Sequence, residues 1–161
     1  MPRVTFNSGF SMELPTGYRT ISRDDVTTPF MAPMGKMREY PLKYFYEWSF
    51  EANNIVLLKK GKGKEIEGLA AMSLQKKKEK ENVITLEMIS RNKLTENRGE
   101  VASHMISVIR KYIAPQLSVE ALEVESIEDL KDFYINLGFT PTGIDIHDSY
   151  WGKVSLLFMK V

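Results

Sequence analysis

The chain has 161 residues, 43% of them hydrophobic, and its 22 Lys and Arg against 21 Asp and Glu leave a formal net charge of +1. That length can bury one substantial core and is short for two ordinary domains, and so balanced a charge supplies no global field for steering toward nucleic acid or an anionic membrane. The lack of cysteine excludes disulfides, thiolate catalysis and cysteine-ligated zinc, and with no apolar run near the ~20 residues that cross a bilayer the expectation is a cytoplasmic protein without membrane attachment.

In chain order, Pro15, Pro29, Pro33 and Pro41 break residues 1 to about 50 into short pieces. The best helix there runs from Pro41 to about Ala52, because Pro41 suits a first helical position and Leu42, Phe45, Trp48 and Ser49 fall near helical spacing. A further helix between Arg23 and Met31 is left open. From Asn54 the pattern becomes strand-like: Ile55 to Leu58, then a lysine-rich tip at Lys59 to Lys64, then Ile66 to Leu74 with small residues on both faces, then a second tip at Lys76 to Lys80. Val83 to Ser90 is the third strand, with Val83, Thr85, Glu87 and Ile89 on one face and Ile84, Leu86, Met88 and Ser90 on the other.

Between Glu100 and Tyr112 the apolar positions Val101, Met105, Val108, Ile109 and Tyr112 recur at helical spacing, and Pro115 is expected to stop the segment. Leu117 to Val124 reads as a strand. Ser126, with Asp129 three residues on, reads as the N-cap of a helix that turns Ile127, Leu130, Tyr134 and Leu137 inward and ends at Gly138, where glycine takes a left-handed backbone freely. Phe139 to about Ile146 and Val154 to Val161 are two more strands, joined by a loop at His147 to Gly152.

The start of the long helix is the first candidate site. Its opening turn presents unpaired amides and the positive end of the helix dipole, and Arg91, Lys93 and Arg98 precede it. Tyr134 is the second candidate, a phenol able to donate a proton at neutral pH or simply a core aromatic. Glu87 is the third, a carboxylate that could act as a base or lie on the surface in a salt bridge. His104 and His147 have no helix-spaced partners, so no metal site is expected; His104 is placed on a helix face and His147 in a loop. The lysine tips read as solvated hairpin ends, which disfavours nucleic acid as a partner. The stretch from Glu120 through Glu123, Glu125, Glu128 and Asp129 to Asp132 either attracts a cationic amine or is a solvated face.

Two of these segments together resemble the GNAT N-acetyltransferase family. Asn97-Arg98-Gly99-Glu100-Val101-Ala102 is similar to the family's Gln/Arg-x-x-Gly-x-Gly/Ala phosphate loop, with Asn97 for Gln/Arg and Glu100 for the central glycine. Phe133-Tyr134 followed by Gly138-Phe139 is similar to its Phe-Tyr-x-x-x-Gly-Phe segment, in which Phe133, Leu137 and Phe139 read as packing residues. The resemblance covers roughly residues 54 to 161, the expected acetyl-CoA-binding core, with 1 to 53 a variable helical region on the acceptor side of one domain. It implies an α/β fold with a splayed mixed sheet that opens between the third strand and the Leu117 to Val124 strand.

In that scheme acetyl-CoA is the co-substrate. Its pyrophosphate meets Asn97 to Ala102 and Ser103, its pantetheine and acetyl carbonyl meet the backbone of Met88, Ile89 and Ser90, and Ser126 stands near the pantetheine arm. Tyr134 protonates the leaving thiolate, and Glu87 takes a proton from the amine. The implied reaction is acetyl transfer to a primary amine by direct attack. A GNAT-fold module that binds CoA or a protein partner without turnover stays open beside it, as does a homodimer formed through the last strand.

Overall fold

The computed structural model describes residues 1–33, 42–75, 82–96 and 99–161. The expected Lys76 to Lys80 tip, Pro41, Asn97 and Arg98 lie outside them. The described part of the chain begins with a small antiparallel pair, β1 (Arg3–Thr5) and β2 (Ser11–Glu13), followed by β3 (Tyr18–Thr20), a 3-10 turn at Arg23–Thr27 and α1 (Leu42–Trp48). The N-terminal region therefore holds three strands that the sequence reading missed, and β3 joins the main sheet. The open question at Arg23 to Met31 resolves as that 3-10 turn, tied down where Arg19 forks both guanidinium nitrogens onto Asp25 at 2.7 Å and the Ser22 amide donates to Asp25 Oδ2.

The main sheet adds β4 (Asn54–Lys60), β5 (Ile66–Gln75), β6 (Asn82–Arg91), β7 (Val119–Ile127), β8 (Thr140–Asp148) and β9 (Gly152–Lys160), in the order β3-β4-β5-β6-β7-β9-β8. Neighbours are antiparallel except β6 and β7, which run parallel. Lys59 lies within β4 and bridges Glu67 of β5, so the first lysine tip is shorter than expected. His147 sits in β8 rather than in a loop, because pairing with β9 extends that strand to Asp148.

The helix expected to open after Arg98 begins as α2 (Val101–Val108), passes through a π-helical turn at Ile109–Ile113 and finishes as α3 (Ala114–Gln116). Pro115 does not stop it. It is taken in just after the π-helical turn, and the helical path ends one residue later at Gln116. Further on, β7 outruns its expected end, since Glu125, Ser126 and Ile127 all pair with β9. Ser126 is therefore a strand residue whose hydroxyl donates to the Ile127 carbonyl, and a 3-10 turn at Glu128–Leu130 leads into α4 (Lys131–Asn136) without a side-chain cap. Gly138 closes α4 with φ +110°, as expected.

The sheet divides two apolar cores. One packs Val101, Met105, Ile109 and Tyr134 against Ala70, Met72, Ile84, Leu86, Ile89, Leu122 and Leu157. The other packs Leu42 and Phe45 against Val56, Leu58, Leu69, Ala71 and Met88. Residue 87 explains the division: Met72 pairs with Leu86 but Ala71 pairs with Met88, leaving Glu87 as the extra residue of a β-bulge. The bulge reverses the alternation of β6, so Met88 faces α1 while Ile89 joins Ile84 and Leu86. The expected grouping of Met88 with Ile84 and Leu86 is corrected accordingly.

Candidate active site

Pairing between β6 and β7 stops at Leu86 and Val124, although β6 continues to Arg91 and β7 to Ile127. Beyond that pair the two strands part, and among the described residues no strand pairs with the edge of β6 from Met88 to Arg91 on its β7 side. A cavity of about 400 Å³ lies at this end, walled by Ser90, Arg91, the α2 start from Glu100 to Ser103, Ala32 and Pro33, and on the far side Leu130, Phe133 and Leu137. Phe133 and Leu137 thus line a cavity rather than only packing, whereas Phe139 is buried as expected.

The start of α2 is open to that cavity. The first helical hydrogen bond runs from the His104 amide to the Glu100 carbonyl, so the amides of Val101, Ala102 and Ser103 precede the ladder and have no partner within it. Glu100 takes φ +56°, ψ 9°, the left-handed conformation in which glycine is at ease and a side chain is strained. This is the position where the phosphate-loop pattern has its central glycine, and here a glutamate takes the left-handed backbone. The Glu100 carboxylate lies along its own helix, 3.7 Å from His104 Nε2, and is 79% exposed.

Arg91 enters the cavity wall from the last position of β6. Its Nη1 is buried and has no hydrogen-bond partner among the described residues. A buried guanidinium nitrogen left unpaired costs free energy, which an anion in the cavity would recover. Gly68, which pairs with Arg91 across the sheet, lets α2 lie this close: a Cβ there would stand 2.6 Å from Val101 Cγ1 and 2.7 Å from Met105 Sδ.

Asn92 then anchors the wall. Its Nδ2 donates to the carbonyls of Pro29 and Ile66, and its Oδ1 accepts from the amides of Met31 and Leu94. One buried amide side chain thereby holds the strand end, the stretch carrying Ala32 and Pro33, and the loop leading to α2. Neither Gly68 nor Asn92 was singled out from sequence. A glycine in a strand of small residues was the one available signal for Gly68.

The other expected residues are more dispersed. Met88 and Ile89 are buried in β6 on opposite faces, and only Ser90 of that trio lines the cavity. Tyr134 is 4% exposed, in the core against Phe133 and Phe139, both in edge-to-face contact, and does not line the cavity. Ser126 is buried on β7, and Gly99 is exposed just before α2. Glu87 is exposed at the parting of β6 and β7. Desolvation by the surrounding protein pushes its carboxyl above the usual glutamate range, and the Glu125 carboxylate pushes it further in the same direction. Among the described residues no three His, Asp or Glu form a metal-ligand group, and no helix is long and apolar enough to cross a membrane.

No protein-family model and no curated protein matches the sequence. Solved structures do match in shape. The GNAT domain of S. lividans PAT superposes with a TM-score of 0.62 at 14% identity, over 99% of this chain and 96% of that one. Spermidine N-acetyltransferase SpeG of Vibrio cholerae, solved as a point variant, gives 0.62 at 12%, over 89% and 92%. A chain of the NatC complex bound to Gag peptide and CoA gives 0.61 at 12%, over 89% and 97%. At such identities the likeness speaks to fold alone.

Proposed function

We propose that this chain, which has the GNAT acyl-CoA N-acyltransferase fold, transfers an acetyl group from acetyl-CoA to a primary amine. The observation that carries the reading is the junction of the β6–β7 parting with a cavity that holds both an open helix start and the unpaired Nη1 of Arg91. That combination suits a long ligand with a diphosphate at one end and a thin arm reaching between two strands. The amides of Val101, Ala102 and Ser103 and the Arg91 guanidinium would hold the diphosphate, joined by Asn97, Arg98 and Gly99. The unpaired edge from Met88 to Ser90 would hydrogen-bond the arm, with Ser126 on the opposite strand.

In the proposed reaction Glu87 takes a proton from the acceptor ammonium and passes it to water, and the freed amine lone pair attacks the acetyl carbon. As the tetrahedral intermediate collapses the C–S bond breaks, Tyr134 donates its proton to the departing sulfur, and the proton lost by nitrogen restores the phenol. The NatC complex is bound to a peptide and CoA, and SpeG is a spermidine N-acetyltransferase; these neighbours guide the choice of probes. Calorimetry with acetyl-CoA tests binding, and CoA release with spermidine and with an end-blocked lysine peptide tests transfer. No binding at millimolar acetyl-CoA would defeat the proposal. Tyr134→Phe is expected to lower kcat more than it weakens acetyl-CoA binding; equal kinetics in the variant would remove the phenol from the mechanism.

The second reading is a module that binds CoA without turning it over, and the enclosure of Tyr134 together with a glutamate in the phosphate loop favours it. Binding without CoA release on either amine would select it.

A further inference from the structure

Leu86 and Val124 are the last pair joining β6 to β7, so the first residues past the junction are Glu87 on one lip of the parting and Glu125 on the other. Both are exposed there. They are held by different devices. Glu87 is the bulged residue, opposed singly by neither Ala71 nor Met72 of β5, and is exposed one position past the last β6–β7 pair. Glu125 is fixed within β7 by its pairing with Leu156 of β9, on an element that a ligand does not need to move.

The surroundings leave few other charges to act on Glu87. β5 presents Ala71 and Met72 opposite it. α1 packs Leu42 and Phe45 onto the adjoining Met88, and its charged Lys43 and Glu47 face each other 4.0 Å apart on the outside. On β7, Glu123 sits opposite Thr85 inside the paired region, and Glu125 is the charge whose field reaches the Glu87 carboxyl and favours its protonated form. Two carboxylates meeting at one opening resist being ionised together, which makes whichever faces the substrate a stronger base.

Resting on the transferase reading above, we propose that Glu125 is a positioning residue for the proton-transfer step, acting from the fixed lip of the parting to make Glu87 the group that takes the acceptor proton. In that step one N–H bond of the ammonium breaks and one O–H bond forms on Glu87, and no bond to Glu125 forms or breaks. It need touch neither acetyl-CoA nor the amine.

The test follows the Glu87 side-chain carboxyl by carbon-detected NMR across pH in the unaltered protein, in Glu125→Gln and in Glu125→Asp. In parallel, the pH profile of kcat/KM is recorded with acetyl-CoA and whichever of spermidine or the lysine peptide turns over. In Glu125→Gln the Glu87 midpoint is expected to fall, the acidic limb of kcat/KM to move down with it, and the plateau rate to drop about two- to fivefold, while acetyl-CoA affinity is unchanged. Glu125→Asp should restore most of both. An unmoved Glu87 midpoint overturns the proposal, as does a moved midpoint with a fixed kinetic limb. Loss of acetyl-CoA binding in the unaltered protein overturns the transferase reading first, and this proposal with it.

Discussion

Glu100→Gly isolates the residue that departs from the phosphate-loop pattern. A non-glycine residue at φ +56° is strained by roughly 1 kcal/mol, and a new glycine costs about 0.4–1 kcal/mol through the extra freedom of the unfolded chain, so stability should change by less than about 1 kcal/mol. Affinity for acetyl-CoA should respond more clearly. With the carboxylate about 6 Å from a diphosphate and largely in water, each charge pair repels by about 0.7 kcal/mol, or about half that at physiological ionic strength. Removing one carboxylate from two phosphate charges should therefore tighten binding about threefold at physiological salt, and up to about tenfold at low salt. Isothermal calorimetry at two salt concentrations reads this directly. Glu100→Gln serves as the control that removes charge while keeping the strained backbone. If neither variant gains affinity at low salt, the start of α2 does not hold the diphosphate and the reasoning fails.

Gly68→Ala should cost about 1–3 kcal/mol by urea denaturation and weaken acetyl-CoA binding, because its Cβ can be housed only if Val101 and Met105 retreat with the start of α2. Arg91→Met keeps much of the side chain's bulk but removes the buried nitrogen that lacks a partner; stability should hold or rise while the acetyl-CoA dissociation constant increases at least tenfold in calorimetry. For Asp25, burial pushes the carboxyl up, but the Arg19 guanidinium and the hydrogen bonds from Ser22 outweigh it and hold the group below the usual aspartate range. A depressed native value stabilises the fold above the ordinary aspartate pKa of about 3.9, and that stabilisation is lost as pH falls through the lower native value. Urea midpoints between pH 5 and 2 should therefore decline more steeply for the natural chain than for Asp25→Asn, and parallel curves would contradict the assignment.

The parts of the fold legible in the sequence are those whose signal is local and long. β6 and α2 carry enough consecutive residues for period 2 or period 3.6 to show, and Gly138 marks the end of α4 through a backbone angle that glycine supplies. β1, β2 and β3 have three residues each, too few to establish any period, and they exist because the sheet and its hairpin recruit them. Ser126 has the chemistry of a cap, yet three successive pairings with β9 outweigh it. The start of the helix is legible because an unpaired helix terminus is a property of nearby residues. The walls at Ala32, Pro33, Leu130, Phe133 and Leu137 come from distant segments that Asn92 and the turn before α4 bring together, and one sequence does not display that convergence.

The bulge at Glu87 makes the numbering of β6 matter as much as its composition. Ile89, Ser90 and Arg91 face as they do because one position upstream is not matched by a residue on β5, so the extra residue is absorbed at the bulge and regular pairing resumes at Met88. Excising Glu87 would leave Leu86 opposite Met72 and Met88 opposite Ala71 with nothing between them, so Met88 and everything downstream would keep its face and Arg91 its place in the cavity wall. Substitution and deletion at this position should both be tolerated by the fold, and deletion should take from the parting only its first carboxylate.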